Sequence, residues 1–135
     1  MNVSFLSDVS DIMSSTLLLI TAPPTSRLSY HAFKLAQAMQ QTEQHFAVFF
    51  YQDAVSIANA DLWRSEDELN LTSAWQSLNI QLPVCVSAAL NRGIADEDNA
   101  QRHQLQHHNL ASGFALTGLG TLADAISQAR HVIQF

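Results

Sequence analysis

The stretch Leu82-Pro83-Val84-Cys85-Val86-Ser87-Ala88-Ala89-Leu90-Asn91-Arg92-Gly93 changes character halfway along. Residues 82–87 are an apolar run of the length of a buried strand. The second half has the composition of one or two helical turns closed by a glycine. At the junction stands Cys85, the only cysteine among 135 residues. A thiol so placed has backbone N–H groups and the positive end of a helix dipole within reach, and both favour thiolate over thiol. Without a second cysteine the chain cannot form an internal disulfide, so sulfur chemistry here involves another molecule.

The same strand-then-helix reading extends in both directions. Upstream, the apolar stretch from Thr16 to Thr21 predicts a first strand, ended by the loop Ala22-Pro23-Pro24-Thr25. Leu28, Ala32, Leu35, Ala36 and Met39 recur at helical spacing, which predicts an amphipathic helix over residues 26–41. Phe46 to Tyr51 reads as a second strand, a central one rather than an aromatic binding stripe. Residues 52–60 have helical composition, and Ser65 with Glu68 resembles a capping box introducing a helix that turns Leu71, Ala74, Trp75 and Leu78 to one face. Downstream, Phe114–Thr117 predicts a fourth strand, Thr121 and Asp124 a capping pair for another helix, and residues 132–135 a fifth strand. Buried strands alternating with amphipathic helices predict an α/β sandwich with a mainly parallel five-stranded sheet. Residues 15–135 form its single domain, preceded by a weakly structured extension over residues 1–14. Ligand chemistry in such sheets gathers beyond the carboxyl ends of the strands, where Cys85 lies.

Composition narrows the function. Net charge is −6, and Arg27, Lys34, Arg64, Arg92, Arg102 and Arg130 are scattered singly, so the chain lacks the basic patch that direct nucleic-acid binding requires. Charged residues make up 13%, about half the usual share of about 25%, which suggests that part of the surface is covered by other subunits. The first fourteen residues carry Asp8 and Asp11 but no Lys or Arg, unlike a signal peptide, and no apolar run approaches the roughly 20 residues that span a bilayer. A cytoplasmic, non-membrane protein is expected.

Of the candidate sites, Cys85 is the strongest, although a lone cysteine can equally be a small buried hydrophobe. His103, His107 and His108 could share a helical face, but no acidic or thiol ligand stands at metal-site spacing, and the glutamines around them suggest a solvated segment. Gly118-Leu119-Gly120 lacks the third glycine of a dinucleotide loop and follows the wrong strand; a tight turn explains it better. Asp96-Glu97-Asp98 reads as a solvated turn. No metal, flavin or nucleotide is expected.

Several segments together resemble the DsrE-like family of sulfur-relay proteins, most closely its TusD branch. They are Val48-Phe49-Phe50-Tyr51 with Asn59 downstream, Ala74-Trp75-Gln76-Ser77-Leu78-Asn79, and Val84 to Gly93 with Asp96-Glu97. Asn109-Leu110, Gly113 to Gly120 and Val132 to Phe135 complete the set. They run in order over about residues 16–135. The resemblance implies a three-layer α/β/α fold and a heterohexamer with TusB-like and TusC-like subunits, two copies of each. It implies that Cys85 takes a sulfane sulfur from a TusA-like donor and passes it as a persulfide to a TusE-like acceptor, for 2-thiolation of the wobble uridine of certain tRNAs. Two alternatives stand beside this: DsrE-type sulfur trafficking in sulfur oxidation, and a non-catalytic subunit of a hetero-oligomer. On this resemblance Arg92 is a candidate electrostatic helper and residues 96–109 a candidate cover or docking segment. The loop at residues 22–26, which lacks the glycines usual for the family, is expected near the thiol.

Overall fold

The computed structural model describes residues 15–135. The extension expected over residues 1–14 lies outside the described residues. Five strands, β1 (Thr16–Ile20), β2 (Phe46–Phe50), β3 (Leu82–Cys85), β4 (Phe114–Thr117) and β5 (His131–Gln134), form one sheet in the order β4-β3-β2-β1-β5. Every neighbouring pair is parallel, with Leu18 opposite Val48 on one side of β1 and opposite Ile133 on the other. The helices are α1 (Arg27–Gln41), α2 (Leu71–Ser77), α3 (Val86–Asn91), α4 (Glu97–Arg102) and α5 (Leu119–Gln128), with a 3-10 helix over Gln52–Ala58. Strands β1 to β4 advance across the sheet in one direction, so right-handed crossovers set α1 to α4 on one face; the return to β5 sets α5 on the other. The α/β architecture is the one the alternation predicts.

The apolar runs that predict strands are buried because both faces of the central sheet are covered. Leu18, Ile20, Val48, Phe49, Phe50 and Val84 form its core, with Ala32, Ala36, Val55 and Ala89 packed from the helices. Trp75 joins the layers: its ring meets Phe33 edge-on at 5.5 Å and Phe50 at 5.2 Å, and Phe50 in turn meets Phe114 at 5.8 Å. Among the described residues the buried Trp75 Nε1 donor meets no hydrogen-bond acceptor.

Three local expectations are corrected. Strand β3 stops at Cys85, two residues before its predicted end at Ser87, because helical geometry begins at Val86. Ser65 and Glu68 do not cap α2. They close a turn, Glu68 N to Ser65 O at 3.1 Å, and Asn70 caps the helix by accepting from Ser73 N at 3.0 Å. Thr121 lies inside α5, whose N-cap is Gly118; its hydroxyl instead contacts that of Thr117 at 2.6 Å.

Candidate functional site

Cys85 is the last residue of β3 and the N-cap of α3. It stands opposite Thr117, the end of β4, while Val84 beside it pairs with Phe50 at the end of β2. The carboxyl ends of three adjacent strands therefore meet at Cys85. Only 2% of the residue is exposed, and it is part of the continuous core, as a small hydrophobe would be. It also forms one wall of an open cleft of about 230 Å³, shared with Tyr51 and Gln52 after β2, Ser87, Ala88, Asn91 and Arg92 from α3 and its end, and Leu119 at the start of α5.

The shape of this cleft comes from how the chain leaves β2. Tyr51 N donates to Ile20 O at 2.9 Å, continuing the sheet, and Ala54 N donates to Tyr51 O at 3.1 Å, starting the 3-10 helix. The reversal between them falls on Gln52, whose φ of 52° lies in the left-handed region that side chains rarely adopt. Arg92, also in the cleft lining, is anchored twice. Its Nη2 and Nε donate to Asp53 Oδ1 at 2.9 and 3.3 Å, and its Nη1 donates to Ala88 O at 3.0 Å. Among the described residues Arg92 is the one charged side chain of the cleft lining.

The other sequence candidates lie elsewhere. The loop at residues 22–26, expected near the thiol, lines a separate cleft with Leu62, Trp63 and Leu69, because β2 stands between β1 and β3. Residues 96–109 do not contribute to the Cys85 cleft. There, Asp96 caps α4 by accepting from Asn99 N at 2.9 Å, so the acidic run is a helix start rather than a plain turn. His103, His107 and His108 are exposed, and among the described residues no three His, Cys, Asp or Glu side chains gather as a metal site. Where a tight turn is expected at Gly118-Leu119-Gly120, the structure has a helix start: Gly118 is the N-cap of α5, Gly120 lies inside it, and Leu119 reaches the cleft.

The sequence assigns no role beside Cys85 to Gln52, and reaches Tyr51 and Leu119 only as members of an apolar run and of the Gly118–Gly120 turn. The signal they carry is positional: each sits at a strand end or the first residue of the next helix, and only the strand order tells which of those ends are adjacent. Asn109 is a further structural residue of this kind. Its amide donates to Asn59 Oδ1 and Gly93 O, both at 3.1 Å, and accepts from Ala95 N at 3.1 Å, tying together three loops behind α3.

Comparison with known proteins agrees with this architecture. The family model described as DsrE/DsrF-like matches residues 13–135. The chain is 44% identical over 115 residues to a protein from Vibrio parahaemolyticus named as a sulfurtransferase TusD homolog, covering 82% of this chain and 88% of that one. It is 42% identical over 125 residues to the sulfurtransferase TusD of Proteus mirabilis, covering 87% and 95% respectively. The TusD of Klebsiella pneumoniae is 44% identical over 109 residues, 77% of this chain and 85% of that one. Among solved structures, the ychN protein from E. coli superposes with a TM-score of 0.70 at 20% identity, covering 90% of this chain and 98% of that one, a likeness of fold. The chain belongs to the DsrE/DsrF-like family.

Proposed function

We propose that this chain is a sulfurtransferase subunit that carries sulfur on Cys85 as a persulfide. The names of its relatives support a sulfur-relay role. The observation that carries the reading to a residue is that Cys85, which bears the chain's one thiol, lines an open cleft at the carboxyl edge of the sheet and the start of a helix. The unpaired amides that open such a helix favour negative charge at its N-cap.

The chemistry is exchange at sulfur. The Cys85 thiolate attacks the outer sulfur of a donor persulfide, R–S–SH. A bond forms from Cys85 Sγ to that sulfur, the donor S–S bond breaks, and its electron pair leaves on the donor as R–S⁻. In the second half the acceptor's thiolate attacks the same outer sulfur, and Cys85 leaves as thiolate. No net oxidation occurs, so neither half requires a metal or a redox cofactor. A TusA-like donor, a TusE-like acceptor and tRNA 2-thiouridine as the end use complete this proposal, together with TusB-like and TusC-like subunits in a heterohexamer. The low charge content and the exposed side chains of Val132, Ile133 and Trp63 support such an assembly. Among the described residues no helix is long and apolar enough to cross a membrane. A cytoplasmic setting, where a lone thiol stays reduced, suits the chemistry.

The test is to incubate the full chain with a protein persulfide donor and weigh it. The mass should rise by one sulfur located on Cys85, and Cys85→Ser should accept none. Acceptance by the serine variant would overturn the mechanism. The 2% exposure of Cys85 favours one competing reading, an inert cysteine in a non-catalytic subunit. Alkylation of the assembled protein at neutral pH separates the two, since a relay thiol reacts and a sealed one does not.

A further inference from the structure

Sulfur transfer places negative charge in the cleft, first as the attacking thiolate and then as the outer sulfur of the persulfide, which ionises more readily than a thiol. Apart from the first-turn amides of α3, the cleft offers that charge only the neutral polar side chains of Gln52, Ser87 and Asn91 among the apolar Ala88 and Leu119 and the ring of Tyr51, so a positive group held in the same lining would stabilise it further. We propose that Arg92 is that group and that Asp53 is its positioning residue. The inference rests on the relay reading above and adds a second functional residue to it.

Three observations converge on Arg92. Among the described residues it is the one charged group lining the cleft that holds Cys85. It sits at the C-cap of α3, the same short helix that Cys85 opens, so the two residues are fixed on one rigid element. Its guanidinium is held in place from behind, Nη2 and Nε on Asp53 Oδ1 at 2.9 and 3.3 Å and Nη1 on Ala88 O at 3.0 Å. Those three bonds use three of its five N–H groups, so Nη1 and Nη2 each keep one for an anion. Asp53 belongs to the 3-10 helix that follows the left-handed turn at Gln52, so the strained reversal also delivers the carboxylate that aims the arginine. An exposed pair of this type contributes little to stability, which leaves orientation as what it supplies.

The single cysteine makes the test clean, because any thiol reagent reports on Cys85 alone. The full chain is reacted with a dianionic aryl disulfide, 5,5′-dithiobis(2-nitrobenzoate), and with neutral iodoacetamide, and the ratio of the two rates is taken. The ratio cancels differences in access through the cleft and keeps the effect of charge. In the unaltered protein it should fall as salt is raised, since added ions screen the arginine. Arg92→Gln should lower it about fivefold or more at low salt, and Arg92→Lys should restore most of the loss. Asp53→Asn, which keeps the cation but frees it from its partner, should not lower the ratio and should slow sulfur loading from a donor persulfide. An equal change in both rates for Arg92→Gln, or a ratio in the unaltered protein that is independent of salt, would overturn the inference; the salt series needs no variant to fold. The relay reading fails separately, if the unaltered protein accepts no sulfur whatever the ratio does.

Discussion

Gln52 shows how much a single backbone torsion contributes to the site. Its φ of 52° costs about 1 kcal/mol or more for a residue with a Cβ, and the cost is borne where β2 hands over to the 3-10 helix beside Cys85. Gln52→Gly is therefore expected to stabilise the protein by about 0.5–1 kcal/mol in urea unfolding, and Gln52→Val to destabilise it by about 1–3 kcal/mol. Equal effects of the two would show that the turn is not under strain. At this scale Cys85 was legible in the sequence, because reactivity belongs to the residue type and its strand-to-helix setting could be read from the neighbours. The partners of Cys85 were not. Tyr51 lies 34 positions before it and Leu119 34 positions after it, and nothing in either local pattern says that they meet. Arg92 was legible as a candidate electrostatic helper; its anchoring by Asp53, 39 residues away, required the fold.

Among the elements, strands were easier to read than helix starts. The hydrophobic runs of β1, β2 and β4 agree with their observed ranges to within one residue; burial on both faces explains this for β1 and the end of β2, while edge strand β4 is buried only at Phe114. Caps are decided by one hydrogen bond among several plausible side chains, and at α2 the Ser-x-x-Glu pattern competed with Asn70 five residues on. The two assignments predict different energetics. Asn70→Ala should cost about 1 kcal/mol through loss of the bond to Ser73 N, whereas Ser65→Ala should stay within about 0.5 kcal/mol. Ser65 does have an electrostatic effect: its hydroxyl donates to Asp67 Oδ1 and holds that carboxyl below the usual carboxylate range. A lowered carboxyl stabilises the fold above its unfolded titration range, and that small contribution is lost as acid protonates it. Carbon-detected NMR should accordingly find the Asp67 titration moving up toward ordinary values in Ser65→Ala. Asn109→Ala removes a side chain that ties its own loop to two others and is expected to cost about 2–3 kcal/mol, with the largest chemical-shift changes at Asn59, Gly93 and Ala95.

For the molecule as a whole, the order of strands matters more than their number. Strands β1 and β2 are flanked on both sides, whereas β5 pairs with β1 alone and all four of its residues are exposed. Native-state hydrogen exchange should find the amides of residues 17–20 and 48–50 opening only with global unfolding, and those of residues 132–134 exchanging at least about 100-fold faster. Uniform protection across the sheet would contradict this grading. The class of fold was legible because alternation of strand and helix survives in sequence, but the sheet order depends on which crossovers advance and which one returns, and that is a property of packing. The cleft at Cys85 has a kinetic corollary. Under the relay mechanism donor and acceptor both react at the one sulfur carried by Cys85, a residue only 2% exposed that lines this cleft, so they take turns at the same opening. Transfer then follows ping-pong kinetics, with parallel lines in double-reciprocal plots and each partner acting as a competitive inhibitor of the other when present in excess.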